Sequence, residues 1–234
     1  MKSELEEILK QLGKQDQRPV FHSEADFQFA LAWAIKEFYK DHENVKVRLE
    51  FPVRTKDKKN DKWKNEYIDI VLEFDKQKIP IELKYKIKTP NKTENKKPVP
   101  LPPIKVGKEE FYLVNQAARD LGRYDFLKDV ERIQTFLKNE KYQKGYAILL
   151  TNDDLYWKKG KKVNAVDIDF HISEEIEILR EGEKKWQNNP SKGTTKGRED
   201  AIELNQDYKI DWQNYSAVDK YEFRYLLIEI DKKC

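Results

Sequence analysis

Cysteine is nearly absent: the 234-residue chain has one, Cys234, so an internal disulfide and a cysteine zinc cluster are both excluded. Histidine is almost as scarce, and His22, His42 and His171 lack the spacing of a ligand set or a catalytic triad. The eight glycines form neither G-x-x-x-x-G-K-[S/T] nor G-x-G-x-x-G, so the phosphate-cradling loops of nucleotide-binding folds are missing. No apolar run approaches the roughly 18–20 residues that span a bilayer, and no membrane partner is expected. The opening stretch, MKSELEEILKQLGKQ, is charged and helix-patterned without a hydrophobic leader core. That pattern leads to the expectation of a cytoplasmic protein of bacterial type. A strong excess of one charge is missing too: the net charge is only +3, so the chain as a whole is no basic glove for nucleic acid.

Charge itself is plentiful, at 38% of residues, equal to the hydrophobic share. Aromatic residues at 12% argue against disorder, because disordered chains are poor in them. The positive charge is local. Residues 54–64 (RTKDKKNDKWK) carry net +4, and residues 86–108, with seven lysines and one glutamate, carry net +6. The rest of the chain therefore sums to −7. Two basic segments in a chain otherwise acidic are places where a phosphate backbone can be gripped, and equally places where lysines are simply solvated.

Residues 4–12 read as a short helix. Ser23 as N-cap, with Asp26 three residues on, opens a second helix in which Phe27, Leu31, Ala34, Ile35 and Phe38 recur at helical spacing to about Tyr39. Three strands follow, at 45–53, 67–74 and 79–87, with turns short enough for an antiparallel meander. Five of the nine prolines fall in 88–108, which excludes regular structure there. Helical periodicity returns from Glu109 to about Asn139, and Gly122 is a candidate break in it. GYAILLT at 145–151 is a continuous apolar run, the signature of a strand buried on both faces. Strands are expected near 166–172, 208–212 and 223–230, and a mobile loop at 187–199. The expectation is one α/β domain over 1–234 with a mixed central sheet flanked by helices. Its core spans about 20–151, and a β-rich C-terminal extension of the sheet spans about 152–234.

Asp69 and Glu82 stand inside hydrophobic strands, where an ionised carboxylate is costly unless paired, hydrogen-bonded or bound to a metal. Alternation puts Tyr67, Asp69 and Val71 on one face of their strand and Ile68, Ile70 and Leu72 on the other. On the next strand Glu82 and Lys84 point the same way, two residues apart. Glu24 heads the same helical stripe as Leu31 and Ile35, so helix–sheet packing carries its carboxylate toward the sheet. Two carboxylates at about 2.1 Å from a hard cation, with waters completing the shell, make a reasonable Mg²⁺ site. Lys84 beside it can orient the attacking water. Singly, each residue has a plainer reading: a solvated strand face for Glu82 and Lys84, and a first-turn acid favoured by the helix dipole for Glu24.

The order Glu24, then Y-I-D69-I-V-L, then I-P-I-E82-L-K84-Y-K resembles the core of the PD-(D/E)XK, restriction-endonuclease-like nuclease superfamily. The match covers about residues 20–87. G-R-Y-D-F-L-K-D-V-E-R followed by Y-A-I-L-L-T-N-D is similar to an uncharacterised bacterial branch of it. Ile68 stands where the family name has proline, a position that varies. The resemblance implies a restriction-endonuclease-like core and a Mg²⁺-dependent nuclease, with Mn²⁺ able to substitute. Asp69 and Glu82 are then metal ligands, Lys84 the water-orienting residue, and Glu24 the helix acid near the metal. DNA is the expected partner, RNA the alternative, and a homodimer is left open. Gln116, Arg119 and Arg123 share one helix face where some branches place residues beside the scissile phosphate; an ordinary polar face is the plainer reading. Lys88, Lys92, Lys96 and Lys97 of the Pro-rich segment, and Lys58, Lys59 and Lys62 of the other, are candidate phosphate contacts. Trp63, inside a basic segment, is the one tryptophan to consider as a base-stacking platform. The rival from another class is a non-catalytic nucleic-acid-binding or regulatory module on the same fold. Asp153-Asp154 and Asp167/Asp169 are acidic pairs of the kind loops and strand ends commonly carry.

Overall fold

The computed structural model describes the chain except residues 57–61, 75–76, 90–92, 95–96, 99–102, 117, 161–163 and 234. Lys58, Lys59, Lys92 and Lys96 lie outside the described residues, as does the side chain of Lys97. Two helices come first, α1 (Lys2–Leu12) and α2 (Glu24–Phe38). Ser23 caps α2, its hydroxyl accepting from the Asp26 N–H at 3.1 Å, which satisfies one of the donors a helix start leaves open. Phe27, Leu31 and Ile35 are buried, whereas Phe38, expected on the same stripe, is 46% exposed.

Strands β1 (Val45–Lys56), β2 (Trp63–Phe74) and β3 (Gln77–Lys86) form the expected antiparallel meander. The β1–β2 hairpin runs further than hydrophobic alternation suggests, because its distal ladder, out to Lys56↔Trp63, is built mainly from polar residues. Helix α3 (Arg119–Phe136) and strand β4 (Lys144–Thr151) follow, and β4 pairs parallel with β3. β5 (Trp212–Val218) and β6 (Tyr221–Asp231) complete a six-stranded mixed sheet in the order β1-β2-β3-β4-β6-β5. From Gly145 to Thr151 every residue of β4 is buried, as its apolar run requires between two neighbours. α1 and α2 pack on one face, in a cluster with Ile70, Leu72, Leu83, Tyr85 and Ile148. The other face carries α3 and the C-terminal segments, in a cluster with Ala147, Leu149, Trp212 and Leu226.

Four expectations are corrected. The helix does not begin at Glu109: Ile104–Val106 pairs with Glu109–Phe111 about a two-residue turn, with Gly107 at φ 60°. Glycine at such a position is a hairpin signal that outranks a loose helical period. The same hairpin shows that the Pro-rich stretch is not wholly irregular. Gly122 does not divide α3 but sits inside it, where a Cβ would lie 2.1 Å from the Tyr156 hydroxyl. Near 166–172 the chain forms a 3₁₀ turn (Ile168–Phe170) rather than a strand. The strand expected near 208–212 is present in two parts, Tyr208–Lys209 pairing with Ile178–Leu179 outside the central sheet and β5 starting at Trp212 within it.

Candidate active site

β2 and β3 do not stay paired along their length. Their register runs from Phe74↔Gln77 to Ile70↔Ile81 and stops. Beyond it β2 continues against β1 to Trp63, and β3 continues against β4 to Lys86↔Thr151. The sheet forks there, at Asp69 and Glu82. A fork leaves backbone donors without strand partners, and buried N–H groups are costly to orphan. Two carboxylates answer them: Leu83 N–H donates to Asp69 Oδ2 at 2.7 Å and Tyr85 N–H to Glu24 Oε2 at 2.8 Å.

The pleat also reverses at this point, against the simple alternation expected of β2. Ile70 and Leu72 pack on the α1–α2 side, but Ile68 packs with Val71 and Phe136 of α3. On β1, Val47 packs on the first side while Phe51 and Val53 join Phe136. Between them Glu50 adopts φ 48°, a left-handed backbone uncommon for a non-glycine residue. Gln28 of α2 pins the reversal, its amide donating to Glu50 Oε1 and to the Asp69 carbonyl, each at 2.7 Å. Gln28 carried no sequence signal beyond being a polar residue on a helix.

Glu82 and Lys84 face α3, and two residues one turn apart on that helix meet them. Lys84 Nζ lies 2.6 Å from Asp129 Oδ2, and Nη2 of Arg132 lies 2.5 Å from Glu82 Oε2 and 3.3 Å from Asp129 Oδ1. The result is an alternating array, Glu82, Arg132, Asp129, Lys84. The Lys84 ammonium also donates to the Leu83 carbonyl at 3.1 Å. Neither Asp129 nor Arg132 was among the expected site residues. The Glu82 side chain is wholly buried and that of Asp129 is 8% exposed. Arg132 stands close enough to Glu82 for an ion pair, yet neither Glu82 oxygen receives a well-directed hydrogen bond.

The charge states follow. Burial, then the Asp129 and Asp69 charges, push the Glu82 carboxyl well above the usual carboxylate range, against the pull of Arg132. Burial likewise raises Asp129, against Lys84 and Arg132. For Lys84 burial works downward, but Asp129, Glu24 and Asp69 outweigh it and hold the ammonium firmly protonated. A lysine so held donates hydrogen bonds and does not take up a proton.

Four carboxyl groups (Glu24, Asp69, Glu82, Asp129) thus share a site with two cations (Lys84, Arg132), an excess of two negative charges when all are ionised. No group of three or more Asp, Glu, His or Cys side chains able to hold a metal ion is assembled among the described residues. The three-acid set Glu24, Asp69 and Glu82 is therefore not gathered on one point, and Glu24 is turned to the Tyr85 N–H. What is present fits a hard cation held by Asp69 and Glu82 with waters, the usual Mg²⁺ arrangement. The donors are carboxylate oxygens, and both oxygens of buried Glu82 lack a hydrogen-bond donor.

The second tier of expected residues lies elsewhere. Arg123 is buried and committed to Asp167 at 2.5 Å and to the Leu155 carbonyl. Arg119 pairs with Asp153. Lys88 reaches Asp154 at 2.5 Å. Gln116 is exposed, its N–H donating to the Ile87 carbonyl at 2.9 Å. Lys62 is exposed, and Trp63, 58% exposed, has the Arg54 guanidinium 5.5 Å from its ring centroid. No family model matches the chain, and neither a curated protein nor a solved structure is similar enough to match it.

Proposed function

We propose that the chain is a metal-dependent nuclease of restriction-endonuclease-like fold that hydrolyses phosphodiester bonds of DNA. The observation that carries this reading is that Asp69 accepts from the N–H of Leu83, the residue between Glu82 and Lys84, at the fork between β2 and β3, in a cluster with two more acids than cations. Further support comes from the element order: the helix and antiparallel strands that carry the resemblance are followed by α3 and by the buried strand β4, which pairs parallel with β3. Asp69 and Glu82 would hold Mg²⁺ or Mn²⁺, which when bound acidifies a water and offsets charge on the phosphate. Lys84, fixed as an ammonium by Asp129, positions the attacking water and stabilises its deprotonated form. The proton leaves to solvent, since the lysine is already charged. Glu24 holds the Tyr85 backbone, and so the path of β3 beside Lys84. A second reading, a nucleic-acid-binding module that does not cleave, is favoured by the closure of Glu82 by Arg132 and of Lys84 by Asp129.

Plasmid and oligonucleotides incubated with Mg²⁺, Mn²⁺ or EDTA test the two readings. The nuclease reading expects cleavage with either metal and none with EDTA. It also expects Lys84→Ala to lose at least about a hundredfold in rate while binding DNA nearly as the parent does, since positioned water activation is worth about that much. Asp69→Asn should lose cleavage and metal affinity together. Binding without cleavage under every metal condition would leave the binding module as the function.

A further inference from the structure

We propose that Arg132 is the resident counter-cation of Glu82, which a divalent metal displaces and whose freed guanidinium then meets a phosphate of the substrate. This rests on the metal-nuclease reading of the site and adds to it a residue and a mode of regulation.

The two partners of the Glu82–Arg132 contact are built differently. The Glu82 side chain is wholly buried on a central strand, and the Arg132 side chain is 29% exposed on a helix. One of them is fixed and the other has a way out. A structural arginine–carboxylate pair reaches its strength through two parallel, well-directed hydrogen bonds. Here Arg132 lies 2.5 Å from one oxygen, both Glu82 oxygens lack a directed donor, and Arg132 Nε has no partner either. The contact supplies positive charge without locking geometry. Arg132 also has a second acid, Asp129 Oδ1 at 3.3 Å, on its own helix. On leaving Glu82 it keeps that anchor, and its planar fork of donors stays at the mouth of the site. Such a fork suits a phosphate better than an ammonium does. Metal and guanidinium need the same Glu82 oxygens, so the two exclude each other. The site is closed when metal is absent and acquires its phosphate-binding cation as metal enters.

Titrating Mg²⁺ and Mn²⁺ into the DNA-free protein by calorimetry reads this without any cleavage assay. Arg132→Gln removes the competitor, so it should bind metal about tenfold more tightly than the parent, and Arg132→Lys, which keeps the charge, should bind like the parent. At saturating metal, Arg132→Gln should cleave DNA at least about tenfold more slowly, because the phosphate partner is gone. Parent-like or weaker metal binding by a folded Arg132→Gln, with the parent itself binding metal, overturns the exchange and leaves the nuclease reading standing. Absence of metal binding in both overturns the metal site, and the exchange with it. Should Arg132→Gln fail to fold by circular dichroism, the parent protein still decides. Its Arg132 Nε–H resonance, assigned by its loss in Arg132→Lys, should move as Mg²⁺ saturates. A resonance that stays in place overturns the proposal.

Discussion

At the fork between β2 and β3 the same carboxylates serve two needs. Asp69 and Glu24 accept the backbone N–H groups that the parting strands would otherwise orphan, and they stand beside the lysine that nuclease chemistry would use. Acids inside apolar strands are conspicuous in a sequence because burying them is expensive, which is why Asp69, Glu82 and Lys84 could be singled out. Asp129 and Arg132 were not, although both lie in the segment G-R-Y-D-F-L-K-D-V-E-R. They lie on a helix whose buried side includes Arg123, Asp129, Glu131 and Gln134, so polarity there does not mark the solvent face. Arg123 shows the opposite error: it reads as a surface cation and is an internal tie. Its partner Asp167 gives a pH test. Burial works to raise the Asp167 carboxyl, but the His171 hydrogen bond and the Arg123 charge outweigh it and hold it below the usual range. A depressed folded value contributes stability in full above the unfolded value of about 3.9, and the contribution is lost as pH falls through the folded value. Asp167→Asn leaves Arg123 buried without its charge partner and should cost about 3 kcal/mol at pH 7. Urea unfolding of parent and variant should show that gap narrowing below about pH 4. A gap that persists unchanged at pH 3 would mean that the carboxylate charge is not what stabilises the fold there.

Among the elements, α3 departs most from its sequence expectation. Its glycine at position 122 suggested a break, because glycine in a helix interior costs about 1 kcal/mol relative to alanine. The glycine is there for space: the Tyr156 hydroxyl occupies the position of a side chain, and that hydroxyl is buried without a hydrogen-bond partner. Gly122→Ala should therefore destabilise by about 1–3 kcal/mol in spite of the better helix propensity. Tyr156→Phe removes the clashing atom and an unsatisfied polar group together. The double variant Gly122→Ala/Tyr156→Phe should recover most of the loss in thermal unfolding. Additive losses in the double variant would show that the packing of these two residues is not coupled. Pairing order in the meander and burial of β4 were legible because period-2 alternation and an unbroken apolar run are direct products of the pleat. The pleat reversal at Asp69 was not, since it turns on the left-handed backbone of Glu50, and glutamate, unlike glycine, asparagine or aspartate, does not announce that conformation.

For the whole molecule, the uneven charge of the chain bears on how a polyanion would be held. Lys88 is already engaged by Asp154 and Asp153, so the gripping role assigned to the Pro-rich segment passes to Lys92, Lys96 and Lys97. Neutralising these three should weaken binding to all DNA sequences about equally and flatten the log–log salt slope by about 0.9 for each phosphate no longer neutralised. An unchanged slope between about 50 and 200 mM salt would mean that the segment does not touch the phosphate backbone. The expected core near 20–151 supplies the first four strands of the sheet, and the later residues add β6 and β5 beyond β4 at one edge. β6 pairs along the whole length of β4, from Lys144↔Asp231 to Thr151↔Arg224. The Tyr215 hydroxyl and the Ser216 hydroxyl donate to the Arg18 and Pro19 carbonyls, just ahead of α2. During synthesis, then, the stretch bearing Glu24, Asp69, Glu82 and Lys84 leaves the ribosome well before residues 221–231. Until those residues arrive, the apolar edge of β4 waits without a neighbour. A nascent chain in that state offers a ready template for pairing with another copy, and the half that bears the fork would depend on a chaperone, or on the speed of the ribosome, to reach the fold.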